Sequence, residues 1–348
     1  YTIKTFNIGV DASFWNEKLG ITFDYFRRNR SGLLATRSLS VPGTAGIGLP
    51  QENLNSDHTS GFEIVVSHKN RIGDLLYSVT ANYSFSRSKS NHVEGADYKN
   101  PYDNWRNNTN NRYYGIWWGK KDDGQFQSLD EISRNPIDYG SGNRDMLPGD
   151  YKYVDWNGDG IIDGNDDHPI LRNSNNGTPL SYLSMNVSAS YKSFDFNMLW
   201  QGALWNYVYY DIGSQIGNPF VWGTAANTAV LDIFEDRWRP ADPKADSYDP
   251  DTEWIKSGRP ALGKIGAEGT AAIHNARYLR LKSIELGYTL PDKILKNLNI
   301  EKVRVYINAY NLFTISPLKD LDPEHPSTGF GADYPLTKTF NCGFNIIF

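Results

Sequence analysis

Apolar and polar residues take turns over stretches too long for an ordinary sheet, and this beat constrains the fold more than any other feature of the chain. Phe6, Ile8, Val10, Ala12 and Phe14 alternate with Asn7, Gly9, Asp11 and Ser13. Successive side chains on a strand point to opposite faces, so a period of two makes one face apolar and the other polar. The beat returns at Leu19, Ile21, Phe23 and Tyr25. It is clearest at Tyr77, Val79, Ala81, Tyr83 and Phe85, set against Ser78, Thr80, Asn82, Ser84 and Ser86. Leu183 to Tyr191 and Val303 to Ala309 repeat it, and the chain closes on Phe340, Cys342, Phe344, Ile346 and Phe348 in one register.

A soluble sandwich alternates too, because one face packs on a core while the other meets water. Three features favour a membrane barrel. The strands read as about 10–14 residues, against the ~5–6 usual in globular sheets. Their connections alternate between very short and very long, as in outer-membrane barrels. The last strand is amphipathic and ends on an aromatic, Phe348, an ending that resembles the signal read by the barrel assembly machinery. The expected fold is all-β: a transmembrane antiparallel β-barrel with long extracellular loops.

Short turns are expected near Asn16–Lys18, Arg71–Asp74, Ser193 and Pro291–Asn299, and long exterior loops at about 30–59, 89–180, 208–275 and 314–336. With the short turns in the periplasm, Phe348 ends there too. Counting back gives about nine strands, the first starting outside. Bacterial single-chain barrels have an even number of strands, so an odd count is what the C-terminal part of a larger barrel would show. A further strand at Asn111–Trp118 would change that parity.

With 39% hydrophobic residues and a mean hydropathy of −0.56, the chain contains no apolar run long enough for a membrane helix. Barrel strands average such hydropathy away. The 22 Tyr, 16 Phe and 10 Trp suit membrane interfaces and sugar-binding sites equally; Tyr191, Trp200 and Trp205 are assigned to an interfacial girdle. A net charge of −5 without a basic run argues against a nucleic-acid partner. Cys342 is the only cysteine, which excludes an intrachain disulfide. The chain begins with Tyr1 and no leader pattern, so a removed signal peptide, and more, is expected. The six histidines form no HExxH-type spacing and no catalytic constellation stands out, so no enzyme is expected. Gly43, Gly46 and Gly48 read as a flexible loop rather than a phosphate cradle.

The sharpest chemical signal is Asp155 to Asp166. Counting from Asp155, positions 1, 3, 5, 7, 9 and 12 are Asp155, Asn157, Asp159, the carbonyl of Ile161, Asp163 and Asp166, with Gly160 at the sharp turn in position 6. A hard cation needs several oxygens at about 2.3–2.6 Å, and this order wraps them around one. Calcium is the expected ion, with magnesium the alternative. Asp166 stands where an EF-hand has a bidentate Glu, and no amphipathic helices flank the loop. The expected role is to stiffen a long loop rather than to signal. Trp105, Tyr113, Tyr114, Trp117, Trp118 and Trp222 fall in the expected exterior loops. Of these, Trp105, Trp117, Trp118 and Trp222 are the candidate ligand contacts; the competing reading places them in loop minicores or against a lid protein.

Five segments in order bring a family into view. Gly61-Phe62-Glu63 looks like a strand start. Asp155–Asp167 follows a D-x-N-x-D-G-x-I-D pattern, and Asp236-Arg237-Trp238-Arg239-Pro240 a D-R-W-x-P element. Asn275 to Lys282, continued by Gly287-Tyr288-Thr289-Leu290-Pro291, follows A-x-Y-L-R-L-K … G-Y-x-L-P. Asn311-Leu312-Phe313-Thr314 with Asp322-Pro323-Glu324 follows N-L-F-T … D-P-E. Together they resemble the SusC/RagA class of TonB-dependent outer-membrane transporters across nearly the whole chain.

The resemblance implies a 22-stranded barrel, of which this chain is the C-terminal part, with a plug domain that lies outside this chain. It also implies an outer-membrane location in a Gram-negative bacterium and a SusD-like surface lipoprotein as lid. It further implies energy from TonB acting through an N-terminal segment, and import of oligosaccharides or peptides. The plug, the N-terminal barrel segment and outer-membrane lipid would be the other partners. A passive porin and a soluble calcium-stabilised carbohydrate-binding β-protein are the alternative readings.

Overall fold

The computed structural model describes residues 1–37, 49–95, 98, 100–172, 178–209, 236–261, 269–296, 300–319, 322–324 and 336–348. Nine long strands form one antiparallel meander. They are β1 (Thr2–Phe14), β2 (Leu19–Thr36), β3 (Gln51–Ile72), β4 (Leu75–His92), β5 (Ser181–Tyr191), β6 (Phe194–Leu204), β7 (Tyr278–Thr289), β8 (Lys302–Tyr310) and β9 (Thr339–Ile347). Each pairs with the next in the chain, and a two-residue strand, Thr314–Ile315, adds to β7.

Register keeps the alternation in phase across the sheet. Ala12, Ile21, Val66, Ala81, Met185, Trp200 and Leu281 lie in one cross-strand row from β1 to β7. The adjacent row is Asp11, Thr22, Val65, Asn82, Ser184 and Gln201, polar except for Val65. Within it the Thr22 hydroxyl donates to Asp11 and the Ser184 hydroxyl to Asn82, each at 2.6 Å. A slip of one residue in any strand would turn its apolar set to the polar side, so the pattern itself specifies the pairing.

Among the described residues nothing covers the apolar face. Phe340 and Phe344 are each 69% exposed, and Phe6, Ile8 and Val10, at the opposite edge of the sheet, are exposed as well. The buried apolar residues lie largely in the connections: Phe126, Ile132, Leu147, Trp238 and Ala272. A sandwich would place a second sheet over the apolar face, and none covers it among the described residues. Phe62 instead packs along the face on Phe23, Tyr83 and Phe85, with centroids 6.2, 5.8 and 6.0 Å away. Such a face belongs in lipid, as the alternation anticipates. Among the described residues no helix is long and apolar enough to cross a membrane.

The short turns fall where expected. Trp15, Asn16 and Glu17 turn with φ of 54, 55 and 62° between β1 and β2. Gly73–Asp74 and Lys192–Ser193 close the next tight hairpins, and a helical turn, Asp292–Leu295, lies between β7 and β8. The opposite end differs from expectation. β2 runs on to Thr36 and β3 starts at Gln51, so both ends of the expected loop at 30–59 are strand; β4 likewise runs past position 89 to His92. β3 has 22 residues, about twice the 9–11 needed to cross a bilayer. The extension is held by polar chemistry rather than by apolar alternation. Arg30 Nε donates to the buried Asp57 at 2.7 Å, and the Tyr114 hydroxyl caps the same carboxylate at 3.2 Å.

One expectation is corrected and one open possibility is resolved. Gly61-Phe62-Glu63 is not a strand start but lies inside β3, where the Phe26 ring sits so close that a Cβ on Gly61 would be 2.8 Å from it. Asn111–Trp118 does not join the meander. Tyr113 bridges to Lys89, and Trp117–Gly119 pairs with His168–Leu171 in a separate two-stranded sheet. Tyr191 and Trp200 lie towards opposite ends of the apolar face, Tyr191 beside the Lys192–Ser193 turn, and Trp205 stands just past the end of β6. Gly43, Gly46 and Gly48 lie outside the described residues, as do parts of the loops expected at 89–180, 208–275 and 314–336.

Candidate functional site

The Asp155–Asp166 loop is ordered by its own side chains. Asp155 accepts the N–H of Gly158 at 2.7 Å and of Gly160 at 2.9 Å. Asn157 accepts from Asp159 N at 3.0 Å, and Asp159 from Ile161 N at 2.9 Å. These are Asx turns, in which a short polar side chain stands in for a backbone acceptor. Asp163 caps the 3₁₀ turn Gly164–Asp166. Asp166 is fully buried and clips the loop shut, taking the N–H of Trp156 and of Asp163, each at 2.9 Å. The Ile161 segment is held from outside by Asp138, whose N–H donates to Gly160 O at 2.8 Å and whose carbonyl accepts from Ile162 at 2.9 Å. The six predicted ligands thus share one compact loop and are all oxygen donors. Among the described residues no three Asp, Glu, His or Cys side chains converge on a common point. The donor set fits a hard cation in type and order, and its carboxylates are engaged with backbone N–H groups.

A short helix, α1 (Pro101–Asn107), docks on the end of this loop. Asn100 caps it by accepting Asp103 N at 2.8 Å, with Pro101 in the first turn. The Tyr102 hydroxyl donates to Asn165 O at 2.6 Å, and burial pushes its pKa up, keeping it a neutral donor. Arg106 bonds Gly164 O and pairs with Asp167 at 2.7 Å. The docking carries Trp105 into an aromatic cluster. Its ring lies 4.7 Å from Trp118 and 5.2 Å from His168, which stacks on Trp156 at 4.3 Å. Trp105 and Trp156 remain 42% and 45% exposed. Trp117 pairs with Leu171 in the two-stranded sheet, and its ring lies near Gly119. Trp222 lies outside the described residues.

The structure adds residues that the aromatic reading missed. An open cleft of about 590 Å³ runs along α1 and is lined by Asn100, Asn104, Asn108, Asn110, Glu94 and Tyr98, among others. The density of amides in Asn104 to Asn111 was the available signal.

Two buried anchors hold the loops in place. Trp238 of the D-R-W-R-P segment is 1% exposed, faces Trp254 at 6.3 Å and lies against Gly149. The second anchor joins two motifs far apart in sequence. Arg280 reaches Asp322 at 2.6 Å, Glu324 at 2.7 Å and Thr314 at 2.7 Å, while Lys282 pairs with Glu324 at 2.7 Å. Asn206 bonds the carbonyls of Ala276 and Pro323, each at 3.0 Å. Burial alone would push the Asp322 carboxyl up. The Glu324 N–H and the Arg280 guanidinium outweigh it and hold Asp322 below its ordinary value.

No protein-family model matches the chain. Among curated proteins, the TonB-dependent receptor P3 of Formosa agariphila is 25% identical over 373 residues, covering 100% of this chain and 34% of the relative. The TonB-dependent receptor SusC of Bacteroides thetaiotaomicron is 26% identical over 356 residues, covering 99% and 32%. Among solved structures, the RagAB peptide importer in its closed-closed state matches with a TM-score of 0.67 at 19% identity, over 99% of this chain and 35% of that one. Its open-open state gives 0.66. The structural likeness carries the fold, and the chain spans about a third of the length of the curated relatives it matches. In sequence and in fold the chain is therefore similar, along nearly its whole length, to part of a SusC/RagA-type TonB-dependent receptor of the Gram-negative outer membrane.

Proposed function

We propose that the chain forms part of the wall of a TonB-dependent importer of oligosaccharides or peptides, with a SusD-like surface lipoprotein as its lid. The observation that carries the reading is the sheet itself: one face apolar and uncovered, the other polar, with folded loops gathered at one end. β1 and β9 each leave one edge without a strand partner among the described residues. An open edge cannot face hydrocarbon, because its N–H and C=O groups would go unsatisfied there. Further strands of the same receptor would complete the wall, a plug would close the lumen, and TonB would act through the plug. The long-loop end then faces outward, where Trp105, Trp156 and the amide-lined cleft contact cargo. The chain contributes walls and contacts, not covalent chemistry.

The loop Asp155–Asp166 is proposed to take up a divalent cation, calcium in preference to magnesium. What supports this is the order of its oxygen donors and the turn at Gly160, where φ is 81°. A bound cation would stiffen the platform on which α1 and Trp156 stand.

The importer reading is tested in cells carrying the full-length receptor. Uptake of the cargo that supports growth should cease when TonB is deleted, and a surface lipoprotein should co-purify through an epitope that leaves Phe348 free. Uptake that persists without TonB would leave a passive porin as the better account.

A further inference from the structure

On the apolar face, the rows change character abruptly toward the long-loop end. Tyr25, Phe62 and Phe85 form one cross-strand row on β2, β3 and β4. Two residues further along, about 7 Å, the row is Arg27, Ser60 and Arg87, and the next is Asn29, His58 and Lys89. Aromatic residues give way to cations within one step of the strand, as at the boundary between acyl chains and headgroups.

Arg87 opens into a pocket of about 400 Å³ together with Arg172, Tyr113, Ile116, Pro169 and Leu171. Its guanidinium lies 3.9 Å from the centre of the Tyr113 ring and bonds the Arg172 carbonyl at 2.5 Å. Arg87 Nε is buried and makes no hydrogen bond. Arg87 and Arg172 line the same pocket. Among the described residues no Asp or Glu forms an ion pair with Arg27, Arg87, Lys89 or Arg172. Elsewhere Arg30, Arg106, Arg280 and Arg304 each have a carboxylate. Two cationic residues lining one pocket without a counter-charge make a site for an anion.

We propose that this pocket holds the phosphate of an outer-leaflet lipid. The phosphate sits between Arg87 and Arg172, the acyl chains run down over Phe85, Tyr83, Phe62 and Phe23, and Ile116, Pro169 and Leu171 cover the glycerol or sugar backbone. Arg27, in the same row two strands away, offers a second headgroup contact. A lipid is the source that fits, because the pocket opens directly above the lipid-facing aromatic rows and its remaining wall is apolar. The proposal rests on the apolar face being the lipid face, and not on the cargo or on TonB.

The test uses the full-length receptor with its co-purifying partners in a neutral detergent. Dihexanoyl phosphatidic acid, dihexanoyl phosphatidylcholine and inorganic phosphate are each titrated and followed by native mass spectrometry. The phosphatidic acid should bind at least about tenfold more tightly than either of the others. The double variant Arg87→Gln, Arg172→Gln should lose that preference while keeping heat-modifiable barrel mobility. Arg172 is exposed, so Arg172→Gln alone decides the matter if the double variant does not fold, with a reduced preference expected. Inorganic phosphate binding as well as the lipid would make this a soluble-anion site and overturn the assignment. Equal binding of the two lipids, or a preference that survives the substitutions, would overturn it too. Cargo uptake in the same variants should match wild type, which separates this result from any failure of the importer reading.

Discussion

Arg304 on β8 reaches Asp195 on β6 across the intervening strand, and it passes over Gly287 to do so. Its Nε donates to Asp195 Oδ1 at 3.0 Å, and Glu285 on β7 accepts from the same guanidinium at 2.7 Å. A Cβ on Gly287 would lie 2.6 Å from both Arg304 Nε and Asp195 Oδ1. The missing side chain thus ties three strands together on the polar face. Gly287→Ala should displace the guanidinium and lower barrel stability by about 1 kcal/mol or less, since the pair is partly exposed. The midpoint of the heat-modifiable shift on a gel reads this out, and an unchanged midpoint would show the pair to be idle.

The Arg280 cluster makes a larger prediction. The Arg280 and Asp322 side chains are 4% and 9% exposed, so Arg280→Met would leave carboxylates buried without their partner. A loss of roughly 3–5 kcal/mol in local stability is expected. Hydrogen exchange across 278–282 and 322–324 should accelerate accordingly, while the β2–β4 hairpins stay protected.

Acid should undo the same anchor. Asp322 titrates below its ordinary value in the folded chain, so its contribution is complete above about pH 4, the unfolded carboxylate pKa. It is lost as pH falls through the lower folded value. Protease cleavage near 322–324 should rise between neutral and strongly acidic pH in the wild type, and Asp322→Asn should flatten that dependence.

Gly149 carries a φ of 94° and lies against Trp238, where an added Cβ would meet the Trp238 Cβ at 2.6 Å and its indole Cδ1 at 2.7 Å. Gly149→Ala combines backbone strain with overpacking of a fully buried ring, a cost of about 2–5 kcal/mol. The loops around 126–150 and 238–259 should become protease-sensitive while the barrel mobility on gels is retained. Resistance equal to wild type would mean that the ring can move aside.

Loop chemistry and cargo contact can be separated by two substitutions. Asp159→Ala should abolish a calcium affinity expected near 10⁻⁴–10⁻³ M, roughly that of extracellular modules, in calorimetric titration after chelator treatment. Trp105→Ala should weaken cargo binding about tenfold while leaving calcium uptake intact. No heat of calcium binding in the wild type would remove the cation. Full cargo affinity in Trp105→Ala would make that ring a prop for Trp118 and His168.

Alternation alone determined the meander. Each lipid-facing residue, from Phe6 to Phe344, declares its face through its nearest neighbours, and pairing must keep that pattern in phase, which excludes every slip by an odd number of residues. The oxygen order of Asp155 to Asp166 was legible for the same reason, because a loop of twelve residues carries its own turns. Tertiary structure decided everything that depends on meeting across distance. It stood α1 on the cation-type loop through Arg106 and Asp167, brought Trp105 to Trp118, and brought Arg280 to Asp322 and Glu324. It also carried β2, β3 and β4 well past the residues that the alternation marks. Those contacts join residues tens of positions apart through polar groups, and polar side chains bear no periodic signature of their partners. The same reason hid the unpaired arginines at the edge of the apolar face: a row across three strands exists only once the strands are paired.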